Sequence, residues 1–352
     1  MVNFGVMRRA LFVLLIAAVA LPAGAGAAGA APTATTTYAY GARSSSAAVA
    51  AKLAQAPSGF TGGVVTATDG EHVTVYVQNE LAAVDPGMAQ RWADMLTGLV
   101  HGPEISTISV YVASLARVQQ TCGRDALGCY GSNRLITMAD DLSGISAHAV
   151  LTHEYGHHVA DSRDNSPWQA VDYGPKRWAT QVGVCSRAAS GELAPGDESS
   201  RYTFNPGEAF AEDYRVLNER DEGLPETAWQ VVDQSFYPDQ ATLDAVAADV
   251  TTPWTGPTTT TLRSSFTAHA TGRGFRVATP LDGTFRVTLT SPAGTAFTLR
   301  LVDPTAGKVL GTAAGSQQAK SLEANVCGQR TLQVQVKRVR GAGVFSLTVS
   351  KP

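Results

Sequence analysis

Residues 153–157 read His153-Glu154-Tyr155-Gly156-His157, and the spacing of these five decides how the rest of the chain is understood. On an α-helix, residues four apart stand one above the other, so the two imidazoles share a face and can hold one metal ion together. Glu154 lies about 100° further round, within reach of a water on that ion but out of line to be a ligand. Imidazole nitrogens suit zinc, and a carboxylate beside a polarised water is a general base. The helix is expected from about Ala147 to Asp161, with Ser146 as its cap. His158 is expected to pack or hydrogen-bond behind the metal face. His72, His101, His148 and His269 stand in no ligand spacing.

A hydrolytic zinc site takes three protein ligands and keeps one position open. The metzincin pattern would continue with Gly at 160 and His at 163, but the chain has Ala160 and Arg163, so the third ligand must lie elsewhere. Residues 205–214 read Asn-Pro-Gly-Glu-Ala-Phe-Ala-Glu-Asp-Tyr. Pro206 suits a first helical turn, and Glu208 and Glu212 then share one face. Glu208 can ligate the metal, and Glu212 can accept the free ring N–H of a ligating histidine. Asp213 competes with Glu212 but points away from the ligand face. Asp172, fifteen residues after His157, is the alternative third ligand. Stabilising an oxyanion calls for a further donor, for which Tyr202 is the first candidate and Tyr173 and Tyr214 the others.

Outward from these motifs the chain divides. Arg8 and Arg9 precede an apolar run from Ala10 to Leu21, too short to span a bilayer and right for a signal peptide, expected over 1–31. Residues 32–60 are expected to be a disordered spacer or pro-segment, and 61–250 a catalytic α+β domain. There, His72–Val77, Ile105–Ala113 and Asn133–Met138 alternate like strands, the last as an edge. Asp85-Pro86-Gly87 opens a helix, and Pro175–Ala189, Pro206–Asn218 and Pro225–Val250 are helical stretches. The Thr- and Pro-rich residues 251–262 are expected to be a linker. Residues 263–352 carry short alternating runs such as Phe285/Val287/Leu289 and Leu332/Val334/Val336, the pattern of an all-β sandwich.

Four cysteines in an exported chain point to two disulfides; three pairings are open to them, and the expected one has Cys122–Cys129 closing a short loop and Cys185–Cys327 as the second pair. Charge is unevenly distributed. Residues 263–352 hold twelve Lys or Arg against three Asp or Glu, a balance of +9, and the rest fifteen against twenty-seven, a balance of −12, giving the net −3. The basic tail is expected to dock on the acidic half or to bind an anionic cell-envelope polymer. Aromatics are not interleaved with the basic residues, which excludes nucleic acid as the expected partner. Beyond the leader no stretch is apolar enough to span a membrane.

With its Glu-x-Phe-Ala-Glu string at 208–212, the chain resembles the gluzincins, zinc metallopeptidases of thermolysin type, in the lethal-factor-like and bacterial neutral metallopeptidase branches. The resemblance covers roughly residues 70–250, where strand, helix, strand, edge strand and active-site helix follow in the order of a zincin upper lobe. It implies Zn²⁺ on His153, His157 and Glu208, Glu154 as general base, and Glu212 behind a histidine ligand. The tail resembles the bacterial pre-peptidase C-terminal domain in 281–285, 301–304 and 343–349. The expected protein is a secreted zinc endopeptidase acting on peptides or proteins. The alternative is a non-catalytic envelope-binding or adhesion protein on the same scaffold.

Overall fold

The computed structural model describes residues 51–352. The expected signal peptide and the spacer up to residue 50 lie outside the described residues. What is described of the spacer belongs to the fold, because Leu53 is fully buried and Arg134 donates to the carbonyls of Leu53 and Ala54.

The first half carries a five-stranded sheet of β1 (Phe60–Thr66), β2 (His72–Gln78), β3 (Ser109–Ala113), β4 (Gly128–Gly131) and β5 (Arg134–Met138), in the order β1-β2-β3-β5-β4. The inner strands β2, β3 and β5 run parallel, while β1 and β4 are antiparallel edges. Parallel neighbours need crossovers, and helices α1 (Asn79–Val84), α2 (Met88–Gly98) and α3 (Leu115–Cys122) lie in these connections. Asn133–Met138 was expected to supply the edge, yet β5 lies inside the sheet. Ser132 and Asn133 both take positive φ (53° and 56°), the two-residue turn that folds β4 back along β5, so the edge is Gly128–Gly131. Ile105 belongs to a 3-10 turn, Pro103–Thr107, rather than to β3.

Helix α4 (Ala147–Asp161) starts where expected, with the Ser146 hydroxyl accepting from Ala149 N. A short hairpin, β6 (Asp164–Asn165) and β7 (Trp168–Gln169), leads to α5 (Ala170–Tyr173). The expected helix 175–189 is two, α6 (Lys176–Gln181) and α7 (Val184–Ala189), because Gly183 between them is left-handed at φ 71°. Then come α8 (Pro206–Asp221) and α9 (Gln240–Thr251), the helical part of 225–250 being confined to a 3-10 turn and α9.

The tail is a sandwich of two antiparallel four-stranded sheets. One is ordered β13-β10-β15-β8 and the other β12-β11-β14-β9. The strands are β8 (Thr258–Phe266), β9 (Gly272–Thr279), β10 (Gly283–Thr290), β11 (Ala296–Asp303), β12 (Lys308–Ala313), β13 (Ala319–Val326), β14 (Arg330–Arg340) and β15 (Gly343–Lys351). Alternate residues turn inward, and Phe285, Phe297, Leu332, Val334 and Phe345 build the core. The linker is shorter than expected: β-branched Thr258–Thr261 already pair with β15.

The two halves are joined by the Cys185–Cys327 disulfide, with a Cα–Cα distance of 5.3 Å. Beside it Lys176, fully buried, donates to the carbonyls of Ser166 (2.7 Å) and Asp282 (3.2 Å), and Asp282 N donates to Thr180 Oγ1 (2.9 Å). Trp254 of the linker lies across the same ammonium at 4.4 Å, which adds a cation–π contact. Opposite net charges were one expected cause of docking. Among the described residues no ion pair joins the halves, and the buried cation comes from the acidic half.

Candidate metal centre

Helices α4 and α8 cross in close contact because Gly156 has no side chain. A Cβ there would stand 2.9 Å from Ala211 Cα, and any larger residue would push α8 away. This approach brings His153 and His157 from α4 opposite Glu208 from α8, and one donor atom from each lies within 4.8 Å of the others. Local sequence sets each helix start. Asn205 caps α8 by accepting from Gly207 N, and Pro206 at the first position needs no partner for an N–H. Glu208 thereby sits in the first turn, with its carboxylate turned toward the two imidazoles.

The contacts give each residue a distinct position. His153 Nδ1 lies 2.9 Å from Glu212 Oε1, which leaves Nε2 facing Glu208 Oε2 at 3.3 Å. His157 Nε2 is 3.5 Å from the same oxygen. Tyr202 donates to Glu208 Oε2 at 2.6 Å, so its hydroxyl is engaged on the candidate ligand itself. Glu154 is fully buried and, among the described residues, neither of its oxygens has a hydrogen-bond partner; the same holds for both ring nitrogens of His157 and for Glu208 Oε1. Buried polar atoms are normally satisfied, so the unpartnered Glu154 oxygens, His157 Nε2 and Glu208 Oε1 are what a bound cation and a water would complete.

The same contacts shift the titration of these groups. Burial works against a charged His153, but the hydrogen bonds to Glu208 and Glu212 outweigh it and hold the ring near pKa 10. Burial would raise Glu208 as well, yet the two imidazoles pull it well below the usual carboxylate range. The carboxylates thus hold positive charge at one spot between α4 and α8. Glu154 differs: burial raises it to about 7 against the pull of His153 and His157.

Behind the centre runs a chain of buried charges. Arg215, fully buried, donates from Nη2 (2.7 Å) and Nε (3.2 Å) to Glu212 and from Nη1 to Glu219, which in turn accepts from Thr227. Sequence reading missed Arg215, although its spacing from Glu212 and Glu219, three and four residues, was a usable signal. It also missed Gly128. A Cβ there would meet Glu154 Cγ at 2.8 Å and Val150 Cγ1 at 2.9 Å, so only glycine lets the edge strand β4 lie against the candidate base.

The other candidates are placed apart. Asp172 is half-buried next to Gly196 and outside the three-residue cluster. Asp213 points the other way and accepts from Trp178 Nε1 at 2.6 Å. Tyr214 donates to Val100 O, and Tyr173 stacks on Trp168. His158 lies behind α4 on Glu104 O (2.9 Å) and Tyr130 (3.3 Å). Cys122–Cys129 ties α3 to β4, with Cys129 inside the edge strand itself.

No protein-family model and no curated protein matches the chain. Among solved structures it is similar to the pre-peptidase C-terminal domain of a collagenase from Bacillus anthracis, at 13% identity and TM-score 0.24, covering 26% of this chain and 87% of that one. It is also similar to a mitogen derived from Yersinia pseudotuberculosis, at 13% identity and TM-score 0.22, covering 27% of this chain and 87% of that one. A third is PliG, a periplasmic inhibitor of g-type lysozyme from Aeromonas hydrophila, at 15% identity and TM-score 0.21, covering 27% and 87%. A functional reading therefore stands on the geometry between α4 and α8.

Proposed function

We propose that the chain is a secreted zinc endopeptidase with a zincin-like catalytic domain in residues 61–250. The observation that carries this is the convergence of His153, His157 and Glu208 donor atoms within 4.8 Å, beside a buried carboxylate, Glu154, with no other partner. The donor set of two imidazoles and one carboxylate fits zinc, which when bound would act as a Lewis acid on a water and on a substrate carbonyl. Glu154 takes the proton of the attacking water and delivers it to the leaving amine. Glu212 fixes the His153 tautomer so that Nε2 faces the centre, and Arg215 holds Glu212 ionised. Tyr202 steadies Glu208 through its hydrogen bond to Oε2 and is the phenol assigned to offer a proton to an oxyanion. Export is supported by the two disulfides, and among the described residues no helix is long and apolar enough to cross a membrane.

Complete burial of His153, Glu154 and Glu208 favours a second reading, a binding protein in which the metal is structural. Casein digestion separates the two. The peptidase reading expects cleavage that a zinc chelator abolishes and added zinc restores. Stoichiometric zinc with no cleavage of casein or of a mixed peptide library would leave the structural reading.

A further inference from the structure

The outer faces of the two sandwich sheets differ in how they treat charge. On the sheet β13-β10-β15-β8 polar side chains pair across strands, Arg286 with Glu323, Thr284 with Asn325 (2.9 Å) and Thr288 with Ser321 (2.8 Å), while Arg263, exposed at the β8 edge, has no ion pair among the described residues. The three acidic residues of the tail are all committed. Glu323 holds Arg286, Asp303 holds Arg330, and buried Asp282 accepts from Gly328 N. None lies on the outer face of the sheet β12-β11-β14-β9.

That second face carries cations without counter-charges. The register sets Arg300, Gln335 and Gly274 in one cross-strand row, Thr298, Lys337 and Gly272 in the next, and Val302, Gln333 and Arg276 in the row on the other side. Directly paired residues project to the same side, and the intervening Leu332, Val334 and Val336 fill the core, so these rows face outward. Arg276, Arg300 and Lys337 are exposed and, among the described residues, have no ion pair. From strand and residue spacing they are on the order of 10 Å apart. Between them Gln335 Nε2 donates to Gln333 Oε1 at 2.9 Å, Gln333 Nε2 lies over Gly274, and Gly272 leaves an open trough beside these amides. These three cations form no ion pair with the other half among the described residues and stand around a polar trough.

We propose that this face, centred on Arg276, Arg300 and Lys337, binds an anionic polysaccharide bearing uronate carboxylates. The cations match the carboxylates, the Gln333 and Gln335 amides match ring hydroxyls, and the glycine trough admits a chain of sugar rings. No aromatic side chain belongs to these three rows, so bases have nothing to stack on, which separates the site from one for single-stranded nucleic acid. The binding does not depend on the metal centre.

The test uses the full mature protein and measures binding to polygalacturonate, with neutral dextran and double-stranded DNA as comparison polymers. Substituting Arg276→Gln, Arg300→Gln and Lys337→Gln together should weaken polygalacturonate binding roughly 100-fold, about fivefold per cation. Arg286→Gln on the opposite sheet should leave it within about twofold, since that residue is already paired. Gln333→Ala with Gln335→Ala should weaken polygalacturonate binding while leaving the residual affinity for DNA unchanged. Thermal melting checks that each variant is folded, and Arg300→Glu alone provides a second, milder perturbation that should also weaken binding. Wild-type affinity in the triple variant, equal loss in Arg286→Gln, or DNA binding as tight as polygalacturonate would each overturn the proposal.

Discussion

Replacing Arg215 with methionine tests the buried charge chain that supports the candidate metal centre. The guanidinium is fully buried and holds two buried carboxylates, Glu212 and Glu219, with three hydrogen bonds to them. Methionine keeps most of the volume, so the cavity cost is small, but both carboxylates lose the guanidinium, and Glu212 keeps only His153 among the described residues. Removing one partner of a buried ion pair costs about 3–5 kcal/mol, because the remaining charge stays desolvated. For a domain of this size that is a fall in Tm on the order of 10 °C. Burial would then raise the Glu212 carboxyl, which at present is held down by Arg215 and His153. A protonated Glu212 is a poor acceptor for His153 Nδ1, so zinc affinity should fall roughly 10–100-fold. Thermal melts with and without zinc, together with competition against a chelator of known affinity, read both effects. A variant that melts like wild type and binds zinc equally well would refute this account of the support.

Further outcomes follow from other contacts. Gly128→Ala places a methyl 2.8 Å from Glu154 Cγ; it should cost about 1–3 kcal/mol and displace the base, so casein cleavage should fall more than zinc content does. Gly156→Ala should force α4 and α8 apart and lower zinc affinity instead, measured by the same chelator competition. Cys185→Ala with Cys327→Ala opens a cross-link spanning 142 residues, and loop-closure entropy puts the loss near 5 kcal/mol. Calorimetry should then show the two halves melting separately, where the bridged protein melts in one transition. Burial lowers Lys176 to about 8 despite Asp164, Asp282 and Asp249 nearby. Between pH 8 and its ordinary value of 10.5 the unfolded chain binds the extra proton, so stability should rise with pH across that window. Lys176→Met should remove this slope from urea midpoints measured at pH 8 to 10.

What the sequence disclosed were features fixed by local chemistry. The i, i+4 spacing of His153 with His157 and of Glu208 with Glu212, the Ser146 cap, and the alternation of Phe285, Val287 and Leu289 all depend on near neighbours. What stayed hidden depends on distant partners. Gly128 shows its role only once β4 lies on α4, and Leu53 looked like part of a spacer because one leucine among small residues gives no period. Thr258–Thr261 looked like linker because threonine suits both linkers and strands, and pairing with β15 decided the matter. The edge strand was misassigned because Ser132 and Asn133 carry a turn usually marked by Asn-Gly. The charge surplus of the tail was legible as a number but not as a place. The gathering of Arg276, Arg300 and Lys337 on one sheet face needed the registers of β9, β11 and β14.

The most direct measurement of the central claim compares zinc content and casein cleavage in wild type and Glu154→Gln. The substitution keeps size and leaves His153, His157 and Glu208 in place, so both proteins should carry about one zinc, while cleavage in the variant should fall by two to four orders of magnitude or more, the contribution expected of a general base. Cleavage at the wild-type rate in Glu154→Gln, or wild-type protein that binds no zinc, would contradict it.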